Sequence, residues 1–204
     1  MISGAGSCWP PHVQWQTVGA LALMASLTIT KAVAQTDPVP LYQRHFDAFE
    51  GKSLEQKVQE LADREEIREL ISAYAHRVAH GVSIADLFTD DGVYINRRPG
   101  KPPSESRGRK ALEARFGSPS SPRASNTPNT PAYIPMIHNY QIAISGDEGV
   151  GINSNELRAN EGGHSIVASG YYNDKYRRVN GRWLFAEREA TFFHWVPLEE
   201  GWAH

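Results

Sequence analysis

Apolar positions along the chain recur first at helical and later at strand spacing. Val58, Leu61, Ile67, Leu70, Ile71, Tyr74 and Val78 mostly fall three, four or seven apart, which predicts one long amphipathic helix running to Gly81. Ser53 followed by Gln56 is a capping-box pair for its start. Ser83 heads a brief second helix through Leu87 and Phe88. Val93, Tyr94 and Ile95 after the Asp90-Asp91-Gly92 turn read as a strand, and residues 109–116 as a third helix. Residues 117–131 carry Pro119, Pro122, Pro128 and Pro131 among Ser, Asn and Thr, a composition for a loop. Beyond it the period falls to two, in runs at 136–144, 150–158, 165–178 and 182–195. Turn residues divide them at Gly146-Asp147, Glu161-Gly162-Gly163 and Asn180-Gly181, the last a strong hairpin signal. Helices followed by an antiparallel meander predict an α+β fold.

The ends of the pattern divide the chain further. An apolar stretch from Val18 to Ile29 leads to Ala32-Val33-Ala34, which reads as a leader over residues 1–34 cut after Ala34. The stretch is shorter than the roughly 20 residues that cross a bilayer, so no membrane anchor is expected after cleavage, and the mature protein is expected to be periplasmic or secreted. Residues 35–55 form a linker segment whose Tyr42, Phe46 and Phe49 are apolar enough to pack onto the domain, and 56–204 form the domain itself. Composition narrows the chemistry. Cys8 is the only cysteine and leaves with the leader, so the mature chain has no disulfide, thiol nucleophile or thiolate metal site. Lys plus Arg number 21 against 23 Asp plus Glu, with no basic cluster interleaved with aromatics, so nucleic acid is not an expected partner and a small molecule is.

Two blocks of sequence carry a resemblance. The run 61–70 (LADREEIREL), then Tyr74, then 85–92 (ADLFTDDG) resembles the opening of SnoaL-like domains. Residues 170–178 (GYYNDKYRR), closed by Gly181, Trp183 and Phe185, resemble their last hairpin. The resemblance implies the cone-shaped fold of the nuclear-transport-factor-2 type, with a strongly curved antiparallel sheet and N-terminal helices enclosing one cavity. Within that family the chain is similar to the cofactor-free lyases that include hexachlorocyclohexane dehydrochlorinase, scytalone dehydratase and bile-acid dehydratase. These pair a strand histidine, acting as base, with an aspartate on the first helix. His138 matches the histidine; the helix position that should supply the carboxylate is Ala79.

The candidate residues each admit two readings. His138, at a strand centre, is a base at neutral pH if a neighbour fixes its second nitrogen, or else an ordinary strand residue. Tyr74 lies on the apolar helix face and either donates to a substrate oxygen or packs with its hydroxyl satisfied. Arg178 shares a strand face with Tyr172, Asp174 and Tyr176; it stabilises a developing anion there or pairs with Asp174, Glu187 or Glu189. Tyr172 and Tyr176 are candidate substrate-binding residues, and the resemblance adds His164 as a second histidine. His76 and His80 have a zinc-compatible spacing, but point away from Tyr74 to solvent or a subunit interface, so no metal is expected, and the resemblance to cofactor-free lyases implies no cofactor. The aromatic last strand predicts cover on both faces, the cavity on one and a helix or second subunit on the other, hence a homo-oligomer of two or three copies. The reading favoured by the resemblance is an exported domain that binds a small hydrophobic or polycyclic molecule and acts as a dehydratase-like lyase or isomerase with His138, Tyr74 and Arg178 at its centre. The alternative, favoured by Ala79, is a non-catalytic binding or subunit domain.

Overall fold

The computed structural model describes residues 41–43, 49–118, 121–122 and 133–201. The leader at 1–34, the linker segment up to Pro40 with Phe46, and most of the 117–131 loop lie outside them. Val39–His204 makes one compact unit, to which all that follows refers.

Its first long element is helix α1, Leu54–Ala79. Both halves of the capping box form: Gln56 N donates to Ser53 Oγ at 3.3 Å and Ser53 N to Gln56 Oε1 at 2.9 Å. The apolar stripe is buried only in the second half of the helix, through Ile67, Leu70, Ile71 and Tyr74. Ile67 and Ile71 are wholly covered, each contributing about 1.5–3 kcal/mol. Val58 and Leu61, expected on that face, are more than half exposed. What is covered in the first turns is polar instead: Glu60, held by Lys52 and Arg64, and Asp63, held by Arg178. A 3-10 turn at Ala85–Leu87 takes the place of the second helix. After it come β1 (Phe88–Arg97), β2 (Ser104–Arg107) and α2 (Arg109–Phe116), the last with its expected limits. Two two-residue strands, β3 (Gly117–Ser118) and β4 (Ser121–Pro122), pair in the segment expected to be all loop.

Four long strands follow: β5 (Tyr133–Ser145), β6 (Glu148–Glu161), β7 (His164–Val179) and β8 (Arg182–Pro197). The turn residues do what their chemistry requires. Asn180 and Gly181, with φ of 50° and 79°, close the β7–β8 hairpin in two residues, as a primed turn needs. The six-stranded sheet runs β2-β1-β8-β7-β6-β5 and is not closed. It is mixed rather than wholly antiparallel, because β1 lies parallel to β8. No hairpin ties those two strands, so chain connection places no antiparallel constraint on them. Bulges between His138 and Gln141 in β5, and at two points of the β7–β8 ladder, bend the sheet. The concave face meets α1, so that Tyr74 lies edge-on to Tyr172 and Phe185 at 5.8 and 5.9 Å between ring centres. At the amino-terminal side Leu41 is buried, while Tyr42 is largely exposed, so the expected packing of that segment rests on Leu41.

Candidate functional site

Between α1, α2 and the concave face lies a cavity of about 780 Å³, within the size range that takes a drug-sized ligand. Tyr74 and Val78 of α1, Tyr94 and Asn96 of β1, and Phe116 of α2 form one side. Tyr133 and Pro135 of β5, Leu157 of β6, Tyr172 of β7, and Phe192 and Trp195 of β8 form the other. Strand alternation delivers these side chains: positions 133, 135 and 157 face the same way as 172 and 192. Aromatic rings meet edge to face, Tyr94 with Phe116 at 4.9 Å and Phe192 with Trp195 at 5.0 Å. The hydroxyls of Tyr74, Tyr94 and Tyr172 interact with one another, and burial pushes all three phenols above the ordinary tyrosine range. They are therefore neutral at physiological pH, available to donate a hydrogen bond but not to act as phenolate bases.

Behind the tyrosines lies a charged group that the sequence reading did not single out. Arg188 is wholly buried, with its guanidinium carbon 4.0 Å from the Tyr74 ring centre and 3.8 Å from that of Tyr172. Its Nε is 3.3 Å from Asp174 Oδ1. The other carboxylate oxygen of Asp174 accepts from Asn153 Nδ2 and from the Tyr176 hydroxyl, both at 2.9 Å. Burial raises the Asp174 carboxyl to about 6 against the opposing pull of Arg188 and Tyr176. The signal for Arg188 was present in the sequence: it precedes Ala190 and Phe192 by two and four residues, on their face of β8.

The mouth of the cavity carries Arg98 and Lys101 from the β1–β2 connection, Ser104 from β2 and Arg115 from α2. Arg98 stacks on Trp195 at 3.3 Å and faces Glu161, which also accepts from Trp195 Nε1 at 3.1 Å. Arg115 lies over Tyr94 at 4.9 Å and donates to Ser104 Oγ at 3.3 Å.

The residues expected to form the site do not all converge on this cavity. Tyr74 and Tyr172 line it; His138, Arg178, Tyr176 and His164 do not. His138 pairs with Ser154, whereas its neighbour Ile137 pairs with the buried Asn155, so alternation puts His138 on the outer face of the sheet. The bulge at Asn139, whose φ is 56°, resets the parity only after His138 has passed. Two acids that could have oriented it from other elements are committed elsewhere: Asp91 pairs with Arg177 and Glu189 with Arg97. Arg178 is held at the far end of the sheet by Asp63 at 2.6 Å and Asp147 at 3.3 Å, and not by Asp174, Glu187 or Glu189. Asp63, although burial opposes its charge, is held below the usual carboxylate range by the Arg178 guanidinium. Tyr176 serves Asp174, and the exposed His164 faces Glu199 at 3.0 Å. His80 Nδ1 hydrogen-bonds the His76 carbonyl oxygen, and among the described residues no group of three metal-ligating side chains assembles.

A six-stranded curved sheet wrapped on a long helix, with an aromatic cavity between them, defines a domain of the nuclear-transport-factor-2 type. The model of the SnoaL-like domain family matches residues 59–189, and the chain belongs to that family. Solved structures with the same fold include hexachlorocyclohexane dehydrochlorinase type 3 from Novosphingobium barchaimii, 23% identical over 72% of this chain and 98% of that one, with a TM-score of 0.56. They also include a putative scytalone dehydratase from Novosphingobium aromaticivorans, 16% identical over 69% and 91%, with a TM-score of 0.56. A Mycobacterium tuberculosis protein of unknown function is 18% identical over 66% and 73%, with a TM-score of 0.52. No curated protein matches the sequence significantly.

Proposed function

We propose that this domain binds a small hydrophobic or polycyclic molecule in the tyrosine-lined cavity, and that it does so without proton abstraction by His138. The observation that carries this reading is the cavity itself, which combines four tyrosines with Phe116, Phe192 and Trp195. Such a lining supplies apolar area for a flat body and a few hydroxyls to orient it. A lyase working as the dehydratase-like relatives' names imply needs a base within hydrogen-bond reach of its substrate. His138 on the outer face and Ala79 on the helix supply neither base nor orienting acid. Calorimetric titration with N-phenylnaphthylamine, an uncharged two-ring probe, tests the reading. Leu157→Trp, which places an indole in the cavity, is expected to abolish binding. His138→Ala is expected to leave affinity within about 1 kcal/mol of wild type, the usual worth of one neutral hydrogen bond. Binding that survives Leu157→Trp, or is lost in His138→Ala, overturns the proposal.

Self-association through the outer sheet face is proposed alongside it, because Ile134, Met136 and Phe193 are 41, 39 and 60% exposed there. Light scattering is expected to give the mass of two or three copies, and Phe193→Glu to shift it toward one. A wild-type mass of one copy defeats this part.

A further inference from the structure

The mouth of the cavity is unlike its interior in charge. Arg98, Lys101 and Arg115 all line it, and among the described residues no carboxylate does. Glu161 stands just outside and is committed to Arg98 and the Trp195 indole. Among the described residues Lys101 and Arg115 form no ion pair with a carboxylate, whereas Arg98 is paired with Glu161. Two further atoms on the same wall, Arg98 Nε and Asn96 Oδ1, are buried with no hydrogen-bond partner among the described residues. Unpaired cations at the rim of an apolar cavity repel each other and attract an anion. Their placement also sets an orientation, since the three come from the β1–β2 connection and α2 at the mouth, while Tyr74, Tyr172 and Leu157 line the cavity from α1 and the sheet.

We propose that the natural ligand is an amphipathic anion: an aromatic or polycyclic acid whose flat body lies among the tyrosines and Trp195 and whose carboxylate, or an equivalent acid group, sits between Lys101 and Arg115 at the mouth. This rests on the cavity being a ligand site and adds the charge and direction of the ligand. Arg98 contributes mainly as a stacked wall, because Glu161 already compensates its charge, so the discriminating residues are Lys101 and Arg115.

The test compares two probes with one skeleton, anilinonaphthalene sulfonate, which carries an acid, and uncharged N-phenylnaphthylamine. Each is titrated by fluorescence and competed against the other on the wild-type protein, Lys101→Ala, Arg115→Gln and Leu157→Trp. Lys101 is exposed in a turn, so its replacement leaves the fold intact even if Arg115→Gln disturbs the Tyr94 stack. The sulfonate is expected to bind more tightly than the neutral dye and to displace it. Each single substitution is expected to weaken the sulfonate about fivefold, the size of one ion contact in a well-hydrated setting, and Lys101→Ala to do so with the neutral dye unchanged. Added salt is expected to reduce the preference. If both dyes bind and compete with equal affinity, or if the sulfonate is indifferent to Lys101 and Arg115, the anion proposal is overturned and the cavity reading stands. If neither binds, or if both still bind Leu157→Trp as they bind wild type, the cavity reading falls and the proposal with it.

Discussion

Replacing Arg188 with methionine is expected to lower the stability of the fold by about 3–5 kcal/mol at neutral pH, the cost of leaving one member of a buried ion pair alone. Arg188 is the single cation facing Asp174 among the described ion pairs, and both side chains are wholly buried. It also sits under Tyr74, Tyr172 and Phe185 at 4.0, 3.8 and 4.5 Å, so its loss removes cation–π attraction as well. The deficit is expected to depend on pH, and the direction follows from Asp174. Burial already raises that carboxyl to about 6 in the folded protein, above the value near 3.9 of an unfolded chain. A group raised on folding stabilises the fold fully below its unfolded value, and that contribution is lost as pH rises through the folded one. Removing Arg188 takes away the pull that opposes burial, so the folded value climbs further and the window of loss extends above pH 6. Urea unfolding of Arg188→Met at pH 5 and pH 8 is therefore expected to show the larger deficit at pH 8. Adding Asp174→Asn to the same chain is expected to recover much of it and to flatten the pH dependence, since a neutral amide still accepts from Tyr176. A deficit equal at both pH values would show that Asp174 does not carry the effect.

A second large loss is expected at Gly170. It lies in β7 opposite the β8 bulge, where Gly170 pairs with Phe192 and Phe193 is the extra residue. A Cβ added there would overlap the Thr191 carbonyl oxygen and press on the Phe192 backbone. These are main-chain atoms of a central hairpin, so nothing can swing aside, and relief requires the bulge to open. Gly170→Ala is therefore expected to cost about 3 kcal/mol or more, at the upper end for overpacking. It should also move Phe192 and Trp195, two walls of the cavity. Thermal unfolding checks the first effect and N-phenylnaphthylamine affinity the second. By contrast, a methyl at Gly146 or Gly162 meets nothing within 4 Å, so alanine there should cost only the strain of a positive φ. A Gly170→Ala protein as stable as those two would mean that the β7–β8 ladder is looser than this register implies.

Local chemistry determined much of the architecture. The capping box at Ser53 and Gln56, the three-and-four spacing through Ile67, Leu70, Ile71 and Tyr74, the period-two runs and the Asn180-Gly181 turn each depend on neighbours within a few residues. They appear in the structure as α1 and as the four long strands with their hairpins. The short polar strand Ser104–Arg107 has no such pattern, because an edge strand with little buried side chain needs none. Nor did anything local announce the parallel β1–β8 pairing, which joins residues nearly a hundred positions apart.

The site divides the same way. Tyr74 and Tyr172 were legible as inward-facing, since each repeats with apolar neighbours on one face. The direction of His138 was not, because strand parity survives only while the ladder is regular and the bulge at Asn139 breaks it. Arg178 looked like a cavity residue by parity and is one by face, but its position along the strand brings it to Asp63 and Asp147 at the end of the sheet. The basic mouth required tertiary structure altogether. Arg98 and Lys101 come from the β1–β2 connection and Arg115 from a helix, and only the folding of α2 across the sheet sets their charges around one opening. Spacing along a chain reports which face a residue takes, whereas which residues meet across a cavity is decided by packing between elements that share no local pattern.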